Sequence, residues 1–324
     1  VTAPLIDVHA HFVTDGYVEA ARAAGHTEPD GMPGWPTWSA AQHLDLMDEH
    51  GIATSLLSIS SPGTHFGEDL PARRLSREVN EAGAEIRAAH PDRFGHFASL
   101  PLPDAEGAVA EAVHALDQLG ADGLVVETNA AGRYLGHPDN DPLWAELDRR
   151  AAVVFVHPTS PLAAEALTAG RPRPMLEFVF DSARAFADLV LSGTLHRYPD
   201  IRWIATHGGG ALPLLADRIE LFRGLFGDAA AGTVPVSQQL ARLWFDTAGT
   251  PFPHQIPALE RSVGTGRLLY GSDYCWTPRP AVAAQIASVD DAPQPAGTSW
   301  RALTTDNARR LLPQLPDPGP ARPG

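Results

Sequence analysis

His9 and His11 stand two residues apart in the run Leu5-Ile6-Asp7-Val8-His9-Ala10-His11. Leu5, Ile6 and Val8 give this run strand propensity, and alternate side chains of a strand share a face, so both imidazoles point the same way. Two imidazoles on one face can grip one cation. A lone pair of this kind also serves as ordinary hydrogen-bonding surface at a strand end, so its meaning depends on what else converges on it. Three more ligand-type residues close apolar runs: His157 after Val153-Val154-Phe155-Val156, His207 after Ile201–Thr206, and Asp273 after Leu268–Ser272.

Eight apolar, strand-like runs occur in order: Leu5 to His11, Ala53 to Ser60, Phe94 to Pro101, Gly123 to Asn129, Val153 to Thr159, Ile201 to His207, Leu243 to Ala248 and Leu268 to Asp273. Several are almost continuously hydrophobic, as parallel strands buried on both faces are, and helical patterns such as Leu70 to His90 and Ala105 to Gly120 lie between them. Strand and helix alternating eight times predict an α/β fold, a (β/α)8 TIM barrel in a single domain. The carboxyl ends of barrel strands form one face, so His9, His11, His157, His207 and Asp273 are expected to meet there. Three histidines and a carboxylate around an open position suit a catalytic divalent metal. Imidazole-rich ligation favours zinc, with manganese the alternative.

Residues 14–38, with Gly31, Pro33, Gly34 and Pro36 around Trp35 and Trp38, read as a long loop after the first strand, where a barrel places a lid or pocket wall. The barrel is expected over residues 1–312, and residues 313–324, rich in proline and glycine, as a disordered tail. Net charge is −15, from 24 basic and 39 acidic residues, which argues against a nucleic-acid surface. A single cysteine, Cys275, rules out an internal disulfide. No run approaches a membrane span and no basic leader is visible, so a cytoplasmic protein with no membrane partner is expected.

These residues resemble the amidohydrolase superfamily: His9-x-His11 after the first strand, His157 after the fifth, His207 after the sixth and Asp273 after the eighth. His207-Gly208-Gly209-Gly210, Gly271-Ser272-Asp273-Tyr274, Leu191–Thr194 and Asn307-Ala308 are similar to its decarboxylase branch, the aminocarboxymuconate semialdehyde decarboxylase-like enzymes. Ser60–His65, Glu127–Asn129 and Arg173–Phe178 resemble more particularly the 6-methylsalicylate decarboxylases. The resemblance implies that His9, His11, His157 and Asp273 hold the metal while His207 stands beside it as acid/base; ligation by His207 as a fifth donor is the alternative. It also implies that Arg218, in the helix after the glycine turn, reaches a neighbouring subunit's site to hold a substrate carboxylate, hence a homodimer. The family's carboxylated lysine bridging two metals is impossible, because the chain contains no lysine. Glu127 could bridge instead, but a substrate contact or support for a ligand is the simpler expectation, and one metal is expected.

Two further side chains are candidate substrate contacts. His65, after the second strand, could bond a phenol or carboxylate, or simply be a solvated loop histidine. Trp276, just beyond Asp273, could wall an aromatic ring or pack in the core. The reaction expected is non-oxidative decarboxylation of an ortho-hydroxybenzoate resembling 6-methylsalicylate, with His207 or Asp273 delivering the proton. Hydrolysis of an ester, lactone or amide by the same ligands is the alternative, because a metal can also activate water near neutral pH.

Overall fold

The computed structural model describes residues 2–226 and 234–316. Eight parallel strands follow one another around a sheet in chain order: β1 Leu5–His11, β2 Ile52–Ser58, β3 Phe94–Ser99, β4 Gly123–Glu127, β5 Val153–His157, β6 Arg202–Ala205, β7 Trp244–Asp246 and β8 Leu268–Leu269. The chain beyond β8 returns to β1, where Val8 N–H donates to the Tyr270 carbonyl at 3.0 Å and parallel bridges join Asp7 to Tyr270 and Ala10 to Tyr274. The sheet therefore nearly closes, and the expected TIM barrel is present.

Every residue of β1, β3 and β5 is buried, and β5 accordingly reads as an unbroken hydrophobic run up to His157, while β1 and β3 carry Asp7, His9, His11 and His96 within the buried sheet. Ile6, Val8, Leu56, Phe97, Phe155 and Ile204 share one cluster, and helix Trp300–Leu311 adds Ala308 and Leu311 to it. That helix covers the amino-terminal end of the barrel: Thr305 Oγ1 donates to the Pro4 carbonyl at 2.7 Å and Asn307 Nδ2 to the Leu268 carbonyl at 2.8 Å. The opposite end is left for the βα loops.

Strands stop earlier than the apolar runs do. The sixth run was read to His207 and the eighth to Asp273, but the ladders end at Ala205 and Leu269. Hydrophobicity continues because the chain stays buried as it turns over the barrel mouth, while hydrogen bonding to neighbours has ended. Residues 14–38 are also more ordered than a loop. They hold helix Asp15–Ala23, capped by Thr14 Oγ1 accepting from Tyr17 N–H, and a short turn at Pro29–Gly31. Of the tail expected over residues 313–324, Gln314 Nε2 donates to Asp122 Oδ1 at 3.3 Å and Leu315 packs on the barrel cluster; residues 317–324 lie outside the described residues.

Candidate metal centre

A register shift between Asp7 and Ala10 in the β1–β2 pairing breaks simple alternation along β1. Beyond it His9 and His11 both face the barrel mouth, their Nε2 atoms 3.1 Å apart, while Ala10 packs outward with Leu5 and Phe12. Asp7 accepts the main-chain N–H groups of His9 at 3.1 Å and Ser272 at 3.0 Å, tying β1 to the turn that carries Asp273. Gly271 makes that approach possible, since a Cβ there would stand 2.7 Å from the Cβ of His9.

The ligand-type residues do converge. His9, His11, His157 and Asp273 can each present one donor atom, and these atoms all lie within 4.8 Å of one another. Asp273 Oδ1 is 3.2 Å from His11 Nε2 and 3.5 Å from His9 Nε2, and Asp273 Oδ2 is 3.5 Å from His207 Nε2. The His157 ring lies edge-on to His11, 4.8 Å between centroids.

Partners behind the rings fix what the front atoms are. His9 Nδ1 lies 2.9 Å from Asp246 Oδ2, which can only accept, so it carries the ring proton. His11 Nδ1 lies 3.3 Å from the Ser58 carbonyl and 3.0 Å from Ser58 Oγ, and the carbonyl likewise demands a proton. Both Nε2 atoms are then bare lone pairs facing each other and a carboxylate oxygen. Three acceptors within 3.5 Å of one another and no proton among them repel, unless a cation lies between them. The donor set therefore fits a divalent metal, and this is a His/His/His/Asp metal site.

Electrostatics follow the same pattern. Burial alone would raise the Asp273 carboxyl, but the imidazoles of His11, His207 and His9 turned toward it hold it well below the usual range, so it stands as an anion able to share a cation with them. Burial would raise Asp246 too, and His9 outweighs it, so its carboxyl lies low. Burial pushes His157 well below the ordinary imidazole value, which leaves it neutral and fit to ligate.

His207 and Asp273 both sit in the left-handed region, at φ 51° and 58°, in turns beyond their strands. Such backbone is uncommon outside glycine and is held here by its surroundings. Asp246 Oδ1 accepts the His207 N–H at 2.9 Å, and the glycines after His207 let the chain press against helix Glu177–Leu191, where a Cβ on Gly210 would stand 2.0 Å from the Val179 carbonyl oxygen. Asp246 and Ser58 were missed in the sequence. Asp246 carried a signal, an acid closing the short apolar run Leu243-Trp244-Phe245; Ser58 carried none.

A cavity of about 360 Å³ opens over this cluster, with His157, His207 and Asp273 at its floor and Met32, Phe178 and Trp276 among its apolar walls. Trp276 is thus where an aromatic-ring wall was expected, with the Trp35 ring 5.7 Å away. Glu127 lies behind the metal cluster, its Oε2 3.6 Å from His157 Nδ1, and burial together with Asp30 raises its carboxyl well above the usual value. It lines a second, larger cavity of about 880 Å³, as does His65, whose Nε2 is 3.0 Å from Asp69 and whose Nδ1 accepts from Gly67 N–H. His65 is therefore tied into its own loop and is not brought into the metal cavity. Arg218 lies outside both cavities, stacked 4.7 Å over the Phe222 ring in an exposed groove.

A barrel with this donor set at the carboxyl ends of its strands is the architecture of a metal-dependent amidohydrolase-type enzyme. The family model for amidohydrolases matches residues 6–314, and the chain belongs to that family, in its decarboxylase branch. It is 36% identical to the decarboxylase yanB of Aspergillus niger, covering 98% of this chain and 90% of that one, and 36% identical to the 6-methylsalicylic acid decarboxylase acuB of Aspergillus aculeatus, covering 96% of each. Among solved structures, one described as amidohydrolase II superposes with a TM-score of 0.89 at 33% identity over 95% of this chain and 99% of that one. A dihydroxybenzoic acid decarboxylase from Polaromonas, solved with bound manganese and the inhibitor 2-nitroresorcinol, shares the fold, with a TM-score of 0.83 at 22% identity over 96% of this chain and 97% of that one. Of the two reactions read from the sequence, decarboxylation is the one the family supports.

Proposed function

We propose that this enzyme removes the carboxylate of an ortho-hydroxybenzoate, 6-methylsalicylate or a close analogue, without oxidation. The observation that carries this reading is His207 beside, yet outside, a complete four-donor cluster, on the floor of an apolar cavity of benzoate size. The cavity walls suit a ring with an alkyl substituent. One of the fungal relatives is a 6-methylsalicylic acid decarboxylase, which supports this choice of substrate.

When bound, a divalent cation on His9, His11, His157 and Asp273 would supply a Lewis acid that orients the carboxylate and phenol oxygens and offsets their charge. Phe178 and Trp276 would hold the ring and exclude water. His207 Nε2 then delivers a proton to the ring carbon bearing the carboxylate; the carbon–carbon bond breaks, CO2 leaves and aromaticity returns. We assign the proton to His207 rather than Asp273, because Asp273 is one of the four donors to the metal and its carboxyl is held well below the usual range. The imidazole-rich set favours zinc, and the manganese in the Polaromonas enzyme makes manganese the competing ion; metal analysis of protein purified without added metal decides between them.

A homodimer and a cytoplasmic location belong to the same proposal. Helices Glu177–Leu191 and Leu212–Phe226 expose Phe180, Leu214, Leu221, Leu225 and Phe226 on one face, around the groove that holds Arg218. A second copy would cover this face, and Arg218 could act on substrate only across such an interface. No helix among the described residues is long and apolar enough to cross a membrane, and a lone buried Cys275 suits a reducing compartment.

The test is His207→Gln. CO2 release should fall by about 10² to 10⁴-fold, while one metal per chain is retained. Loss of metal with activity would make His207 a fifth ligand instead.

A further inference from the structure

The substrate proposed above is an anion, yet the chain carries a net charge of −15. Among the described residues no arginine lines the metal cavity. Its neighbour, the larger cavity, shares Asp30 with it and contains a single arginine, Arg173. Arg173 begins the short turn Arg173–Met175, and the next residue, Pro174, lines the metal cavity itself. This turn packs against Pro29–Gly31 across the barrel mouth.

The arginine has been given room and left without a partner. A Cβ on Gly31 would lie 2.6 Å from Arg173 Nη1, so glycine at 31, with φ 74°, is what admits the guanidinium. Arg173 Nε is buried with no hydrogen-bond partner, and no ion pair is made by its guanidinium among the described residues. Other arginines on this protein behave differently: Arg73, Arg77, Arg93, Arg150, Arg279 and Arg301 each grip a carboxylate. The acids around the same cavity do not cancel Arg173. Glu28, Asp69 and Glu165 are exposed and screened by solvent, Asp30 accepts from Ser160 Oγ, and burial together with Asp30 pushes the Glu127 carboxyl up toward its neutral form. A half-buried guanidinium with free donors, on the wall of a chamber that adjoins the metal cavity at Asp30, presents the geometry that carboxylates seek.

We propose that the larger cavity is the entry chamber and that Arg173 is its anion-capture residue, drawing an aromatic carboxylate toward the metal cavity and discriminating against neutral aromatics. The proposal rests on the decarboxylase reading only for the identity of the acid. Two quantities would be measured for the wild type, Arg173→Gln and Arg173→Lys. One is equilibrium binding of 6-methylsalicylate and of its neutral decarboxylation product 3-methylphenol, followed by tryptophan fluorescence. The other is kcat/KM for CO2 release against ionic strength.

Arg173→Gln should weaken binding of the acid about tenfold, by loss of one charge-assisted contact, and leave 3-methylphenol within twofold. It should also flatten the salt dependence of kcat/KM, with the loss carried in KM, and Arg173→Lys should restore most of both effects. Equal weakening of acid and phenol would make Arg173 a structural part of the mouth and overturn the proposal, as would unchanged binding of the acid. Failure of the wild type to release CO2 would fall on the decarboxylase reading alone, because discrimination between acid and phenol by Arg173 is still read from binding.

Discussion

Asp246 does two jobs with one carboxylate: Oδ2 holds the proton of His9 Nδ1 and Oδ1 accepts the main-chain N–H of His207. The metal ligand and the acid/base are thereby referred to the same buried group. Asp246→Asn keeps the shape but offers an N–H where an acceptor is needed, and can push the His9 proton onto the Nε2 that faces the metal. Metal affinity should fall by about 10 to 100-fold, measured by competition with a chelator, with a parallel loss of activity. Unchanged affinity would mean that His9 is oriented by its packing alone. His157→Ala removes a donor outright and should abolish stoichiometric metal, measured by elemental analysis.

Much of the architecture was legible in the sequence because β1, β3 and β5 are buried throughout and show it as predominantly apolar runs. His9, His11 and His157 were legible because they end such runs. His207 and Asp273 were found by the same rule for a slightly different reason: they lie in left-handed turns beyond the ladders, and apolar character alone cannot mark where pairing stops. Ser58 and Arg173 were hidden, since the role of each depends on contacts across the barrel that no local pattern encodes. Within these turns the glycines matter most. Gly271→Ala would drive a methyl into the Cβ of His9, and overpacking of this kind costs about 1–3 kcal/mol. We expect a lower melting temperature together with weakened metal binding, because the displaced residue is a ligand. A drop in melting temperature with full metal affinity would show that the turn yields instead of β1.

At the scale of the molecule, acid sensitivity should be built in far from the metal. Burial and Arg87 lower His96 to about 4, and both its ring nitrogens are buried without partners. The unfolded chain, with an ordinary imidazole near 6.5, takes up a proton at a pH where the folded chain does not. This contribution to stability is present in full above pH 6.5 and is lost as pH falls toward 4, on the order of 3 kcal/mol. Denaturant melts of the wild type should weaken over that window, and His96→Leu should flatten the slope; an identical slope in both would remove His96 from the account. The proposed dimer, built on the exposed face around Phe180 and Phe226, belongs to this scale as well: light scattering should report a dimer that Phe226→Glu shifts toward monomer.

The central claim concerns which bond is broken. Metal-loaded enzyme would be offered ortho-hydroxybenzoates, with 6-methylsalicylate first, and in parallel aryl esters and lactones, in H2¹⁸O and separately in D2O. CO2 should appear in equal amount with the phenol, which should carry one deuterium at the carbon that held the carboxylate and no ¹⁸O. Products labelled with ¹⁸O from the esters or lactones, with no CO2 from any hydroxybenzoate, would contradict it.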